Sequence, residues 1–175
     1  SPFVSGSANA ASVAVDPSGR FAYVVNNSGT VSAFTINSGT GALAAVGAPV
    51  ATPGFPLSMT VDPTGKFAYV ANAGGANTVS LFAINSGTGA LTVVGAPVAV
   101  GSNPWSVVMD PAGKFLYVAN RASQDIYVFT SNASTGALTA VGSPVPAGLT
   151  PTGITVDSTG KFLYVANSGS NNVSV

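Results

Sequence analysis

Ten charged side chains carry all the formal charge of this 175-residue chain: Asp16, Asp62, Asp110, Asp125 and Asp157, with Arg20, Lys66, Lys114, Arg121 and Lys161. There is no Glu, no His and no Cys. An Asp acting as general base near neutral pH must rise about 3 units from its ordinary value of about 3.9, which costs roughly 4 kcal/mol. Four of the five stand in short turns, "DPSG", "DPTG", "DPAG" and "DSTG". An Asp opening such a turn accepts backbone N–H bonds, and those push its pKa down, not up. Asp16, Asp62, Asp110 and Asp157 therefore read as structural turn residues. No His/Cys cluster offers a zinc site, and one carboxylate per turn does not make a calcium cage. "GGAN" (74–77) precedes a strand pattern, not a helix, so it lacks the context of a phosphate loop. No cofactor or metal is expected.

Two charges stand outside the turns. Arg121 and Asp125 lie in "NRASQDI" (120–126). The irregular aromatics are Phe55 in "TPGFPLS" and Trp105 in "GSNPWS". An aromatic face beside an Arg and an Asp suits a small ligand or glycan, by stacking and charge-assisted hydrogen bonds. Trp105, Phe55, Arg121 and Asp125 are the candidate ligand-binding residues. No catalytic residue is assigned.

The elements that must position them repeat. "RFAYVVN" (20–26), "KFAYVAN" (66–72) and "KFLYVAN" (114–120 and 161–167) say nearly the same thing four times. The preceding Asp recurs at spacings of 46, 48 and 47 residues, which is the range of propeller blades. Each unit reads as a short Val-rich strand, the Asp turn, the aromatic strand, a third strand such as "TVSLFAI" (78–84), a Gly-rich hairpin, and a fourth strand such as "LTVVGAPV" (91–98). A four-stranded blade buries both faces only by stacking on its neighbours. The expected fold is all-β: a β-propeller of about four four-stranded antiparallel blades of 46–48 residues. The whole chain forms one domain, with blade cores at 12–50, 58–98, 106–145 and 153–175 plus 1–4. "SPFV" (1–4) aligns with the end of a fourth strand and "NVSV" (172–175) with the start of a third. The last blade is thus expected to be shared between the N- and C-termini. The loops joining strands two and three lie on the same rim as those joining strand four to the next strand one. Arg121, Asp125, Trp105 and Phe55 meet on that rim. Asn26, Asn72, Asn120 and Asn167 end the aromatic strands there and read as loop caps.

Composition excludes several classes. Charged residues make up 6% of the chain, against roughly 25% in average soluble domains. Net charge is zero and no basic cluster exists, which argues against nucleic-acid binding. No apolar run approaches the ~18–20 residues of a membrane span. The first residues have no basic start or apolar core, so they are not a signal peptide. The Ser/Thr/Asn/Gly-rich surface points to an extracellular or cell-surface setting, as a processed chain of a secreted bacterial protein.

"YVVN" and three copies of "YVAN", with the "VDPxGK" turn, resemble the YVTN-type and lactonase-type β-propeller repeats. That resemblance covers nearly the whole chain. It implies a propeller, usually of seven blades, in a group that includes phosphogluconolactonase-like enzymes. It also implies an Arg-His pair after the Pro that opens the first strand. Here those positions hold Leu57-Ser58, Trp105-Ser106 and Thr152-Gly153. The expectation is therefore a non-enzymatic propeller scaffold acting by self-assembly, through ring completion or a fibre. The alternatives are a ligand- or glycan-binding module using the rim loops, and a fragment of a lactonase-like hydrolase lacking its catalytic residues.

Overall fold

The computed structural model describes residues 9–175, and every described element is a strand. The first blade holds β1 (Ala10–Val15), β2 (Phe21–Asn26), β3 (Thr30–Ile36), β4 (Leu43–Ala45) and β5 (Val50–Ala51). The second holds β6 (Phe55–Val61), β7 (Phe67–Ala73), β8 (Thr78–Ile84), β9 (Leu91–Val93) and β10 (Val98–Ala99). The third holds β11 (Pro104–Met109), β12 (Phe115–Asn120), β13 (Asp125–Ser131), β14 (Leu138–Ala140) and β15 (Val145–Pro146). The fourth holds β16 (Pro151–Val156), β17 (Leu163–Asn167) and β18 (Asn172–Ser174). Each blade is its own antiparallel sheet. β1 packs on β6, β6 on β11 and β11 on β16, so the first strands form the inner row of a stacked array.

The fourth strand is not the continuous element expected. In three blades it breaks into two short pieces, and both pair with the third strand. In the first blade β4 pairs with Phe34, Thr35 and Ile36, while β5 pairs with Thr30 and Val31. The intervening "VGAP" explains the break. Gly47 takes a φ of +64°, as do Gly95 at +64° and Gly142 at +63°, and the Pro two residues on has no N–H for a ladder. The proposed sharing of the last blade falls partly on residues 1–4, which lie outside the described residues.

The heptapeptide strand divides its side chains by alternation. Phe21, Tyr23 and Val25 of β2 face the second blade, packing with Met59, Ala68, Val70 and Phe82. In β7 the backward face is Ala68 and Val70, and the forward face is Phe67 and Tyr69, which pack with Val107, Leu116, Val118 and Phe129 of the third blade. Large rings thus point forward and small or aliphatic residues backward. Burying each such ring contributes about 1.5–3 kcal/mol, so blade stacking supplies much of the core.

Glycines make the close approach possible. A Cβ at Gly89 would lie 2.3 Å from the Phe21 ring, and one at Gly136 would lie 2.7 Å from the Phe67 ring. Each hairpin glycine therefore seats the Phe of the preceding blade. The Asp turns stack as well. A Cβ at Gly65, Gly113 or Gly160 would meet Pro17, Pro63 or Pro111 of the preceding turn at 3.6, 3.2 and 3.7 Å.

Candidate functional site

The Asp turns are closed by their own backbone. Asp16 Oδ1 accepts from the N–H groups of Arg20 and Phe21 at 2.9 and 2.7 Å. Its Oδ2 accepts from the N–H of Ser18 at 3.1 Å and from the Ser18 hydroxyl. Asp62 repeats this with Thr64, Lys66 and Phe67. Burial pushes the Asp16 carboxyl up, but the bonds from Ser18, Phe21 and Arg20 outweigh it and hold the group below its ordinary value. At the exposed turn, the Thr159 hydroxyl and then the Phe162 N–H bring Asp157 down to about 2. A carboxylate so stabilised as an anion is a poor base.

The opposite rim carries the irregular residues. Each first strand opens with a register shift: between Ala10 and Ser12, Pro56 and Ser58, Pro104 and Ser106, and Pro151 and Gly153. The extra residues are Ala11, Leu57, Trp105 and Thr152. Such a bulge turns one side chain away from the alternation of its strand, and bulges are frequent beside functional sites. These bulges were not expected. The signal was present, since Pro56, Pro104 and Pro151 cannot donate to a ladder and suit the first residue of a strand or a bulge.

Trp105 is half-buried, and the Arg121 guanidinium lies over its ring at 4.6 Å from the centroid. These two candidates do come together. Asp125 is engaged inside its loop: its Oδ1 accepts from Asn120 Nδ2 and from the Ser123 hydroxyl, each at 2.9 Å. The same loop is held to the strand-four connection, where Ser123 Oγ accepts the N–H of Ser102 at 3.0 Å. Phe55 lies over its own blade, against Gly74, where a Cβ would meet the ring at 2.1 Å. The four candidates are thus two separate arrangements, the Trp105–Arg121 stack with its Asp125-braced loop, and Phe55 on Gly74.

The asparagines form a third feature. Asn26, Asn72, Asn120 and Asn167 are buried. Asn26 Nδ2 donates to Ser32 Oγ at 3.0 Å, Asn72 Nδ2 to Ser80 Oγ at 2.9 Å, and Asn167 Nδ2 to Ser174 Oγ at 2.8 Å. Each thereby ties the end of the second strand to the third. Their Oδ1 atoms have no hydrogen-bond partner. The connecting loop crosses close by: a Cβ at Gly101 would lie 2.7 Å from Asn120 Nδ2, and one at Gly148 would lie 2.6 Å from Asn167. Beside the last of these, a surface cavity of about 250 Å³ is lined by Thr152, Asn167, Ser168, Asn171 and Asn172. Among the described residues no group of three His, Cys, Asp or Glu side chains is placed to hold a metal ion.

Comparison with known proteins puts this rim in context. The family model described as "Lactonase, 7-bladed beta-propeller" matches residues 2–109 and 104–175. A structure provisionally named as a 6-phosphogluconolactonase of Bacteroides uniformis is 24% identical, with a TM-score of 0.83 over 96% of this chain and 53% of that one. A protein of the same provisional name from Bacteroides fragilis is 25% identical, with a TM-score of 0.78 over 94% of this chain and 49% of that one. The periplasmic gluconolactonase of Pseudomonas aeruginosa is 22% identical, with a TM-score of 0.80 over 94% of this chain and 48% of that one. The chain thus spans about half the length of these structures. Among curated proteins, none matches the sequence.

These findings correct one expectation. The missing His, Glu and Cys argue for a non-enzymatic chain, but the solved propellers to which this chain is similar bear the names of lactonase enzymes. Residue types alone do not decide enzyme class here, because this chain covers only about half of each of those structures. The repeat signature, the four stacked antiparallel sheets and a family match running from residue 2 to residue 175 agree, and the chain belongs to the lactonase family of seven-bladed β-propellers.

Proposed function

We propose that this chain serves a lactonase-type activity, the hydrolytic ring-opening of a sugar-acid lactone, and supplies a four-blade part of the propeller that performs it. The observation that carries the reading is the repeated bulge. It presents Leu57, Trp105 and Thr152 directly after Pro56, Pro104 and Pro151 on one rim. That is the strand position at which the lactonase-type pattern carries its Arg-His pair. In these blades the position offers binding, not proton transfer. The Trp105 face suits the apolar face of a sugar ring. The Arg121 guanidinium suits an anionic substituent, a carboxylate or a phosphate. The general base and the polarising groups then belong to other blades of the completed ring.

The test uses glucono-1,5-lactone and its 6-phosphate, with ring-opening followed by proton release. Because these blades supply binding and not the base, opening faster than in buffer is expected from the completed ring, reduced there by Arg121→Ala. The product 6-phosphogluconate is titrated in parallel against the fluorescence of Trp105, the one tryptophan of the chain. Ring-opening at the buffer rate together with flat fluorescence would overturn the reading.

A further inference from the structure

The Trp105–Arg121 pair is held from the neighbouring blade. Trp105 follows Asn103 and Pro104 at the opening of β11, and Asn103 takes a left-handed φ of +56°. The residue before a proline favours extended backbone, and a non-glycine residue at positive φ is uncommon. Asn103 therefore needs outside support to keep that turn. Its N–H donates to Asn77 Oδ1 at 2.9 Å, and its carbonyl oxygen accepts the N–H of Arg121 at 2.9 Å. Asn77 belongs to the second blade, in the loop between β7 and β8, whereas Asn103, Trp105 and Arg121 belong to the third.

A second bond comes from the same residue. The Asn77 carbonyl oxygen accepts the N–H of Val100 at 3.0 Å. Asn77 thus grips both ends of the segment 100–103. Within that segment, the Ser102 carbonyl oxygen accepts the N–H groups of Ala122 and Ser123 at 3.1 and 3.3 Å. The loop that carries Arg121 and the strand opening that carries Trp105 are fastened to one short segment, and that segment is fastened to Asn77.

The repeat separates what is general here from what is particular. The main-chain bond recurs: the Gly29 carbonyl oxygen accepts the N–H of Thr52, and that of Gln124 accepts the N–H of Ala147, each at 2.9 Å. The side-chain bond to the next strand opening is an addition. Gly29 stands at the equivalent place in the first blade and has no side chain to make it. Asn77 also sits at φ +49°, and asparagine is among the residues that tolerate left-handed backbone. One residue type meets both demands, a left-handed backbone and a short side chain with an acceptor.

We infer that Asn77 is a positioning residue for the ligand site of the third blade. Its Oδ1 sets the turn at Asn103 and, through it, the placing of the Arg121 guanidinium at 4.6 Å from the centroid of the Trp105 ring. The use of that pair for an anionic sugar acid rests on the rim reading above. The second blade thereby takes part in a site whose ligand-contacting groups stand on the third.

Two variants test the role of Asn77. Asn77→Gly removes the side chain and keeps the left-handed backbone free of strain, as Gly29 does in the first blade. Asn77→Asp keeps an acceptor oxygen at the same reach. Each is compared with the native chain by Trp105 emission, by its quenching with acrylamide, and by titration with 6-phosphogluconate. Asn77→Gly should shift the emission, raise the quenching and weaken binding about two- to tenfold, the range of one net hydrogen bond. Asn77→Asp should stay near the native values. Asn77→Ser, whose side chain is shorter, takes the place of the glycine variant if that one does not fold. Native emission and quenching in Asn77→Gly would overturn the inference. An equal change in Asn77→Asp would overturn it too, since the acceptor would then not be the cause. Emission and quenching are read without ligand, so they decide the role of Asn77 by themselves, whereas a flat titration of the native chain counts against the rim reading alone.

Discussion

The hydroxyl of Tyr69 donates to the carbonyl oxygen of Gly136, one blade further on, at 2.9 Å. Ser131 Oγ lies 2.6 Å from the same phenolic oxygen and completes its bonding. Tyr23, the equivalent residue one repeat earlier, is equally buried, yet its hydroxyl has no partner. One side chain beside the hydroxyl differs between the two sites. Where the third blade offers Ser131, the second offers Ile84, which has no polar atom. Repeats that look alike in sequence therefore differ in how well their interfaces are satisfied.

Phenylalanine substitutions should separate the two tyrosines. Tyr69→Phe removes a bonded hydroxyl and should cost about 1 kcal/mol. Tyr23→Phe removes an unsatisfied one and should be neutral or stabilising by up to about 1 kcal/mol. Urea unfolding with unchanged slope reads both. Equal losses in the two variants would contradict the pairing described.

Three glycines with similar φ test the blade contacts. Gly41, Gly89 and Gly136 have φ of +70°, +75° and +72°, so alanine at any of them costs roughly 1–2 kcal/mol of left-handed strain. At Gly41, where a Cβ would meet nothing within 4 Å, the cost should end there. At Gly89 the new methyl also strikes the Phe21 ring, adding about 1–3 kcal/mol. Gly89→Ala should therefore unfold at clearly lower urea than Gly41→Ala.

The pH profile should be flat through neutrality and fall at both ends. Asp16 and Asp157 have depressed carboxyl pKa values in the folded state. Their stabilisation is present above the unfolded value of about 3.9 and is lost as pH falls from there towards 2. Tyr23 and Tyr69 are raised by burial, with the nearby Asp16 and Asp62 charges adding to it. Their contribution is complete below the unfolded value of about 10 and is lost as pH rises beyond it. With no His in the chain, no side chain of ordinary pKa titrates between pH 5 and 8. Thermal melting across pH 2–11 checks this, and a step near pH 6.5 would contradict it.

The Trp105–Arg121 stack should be visible in fluorescence. Arg121→Ala removes a cation from 4.6 Å above the ring and should change the emission of Trp105. An exposed cation–π contact is worth about 0.5–1 kcal/mol, so stability should move little. Unchanged emission would show that the stack does not persist in solution.

Much of this protein is legible from its letters. The 46–48-residue period, the Asp-Pro turns and the alternation in "KFAYVAN" lead to stacked antiparallel blades, because each pattern is local and states its own geometry. The broken fourth strand was hidden, since "VGAPV" carries both strand and turn signals and only pairing with the third strand decides between them. The bulge before Ser106 was hidden for a related reason: register belongs to a pair of strands, not to one. Phe55 and Trp105 are expected on one rim from their loops, but each ring has its own support, Phe55 against Gly74 and Trp105 under Arg121. The absence of His, Glu and Cys does not decide enzyme class, because the similar solved propellers that carry lactonase names are about twice the length of this chain. The letters alone give the repeating unit and the approximate places of its strands. Tertiary structure alone decided which side chains meet a neighbouring blade, because burial is a property of the stack and identical residues such as Phe67 and Phe162 end buried or exposed by position alone.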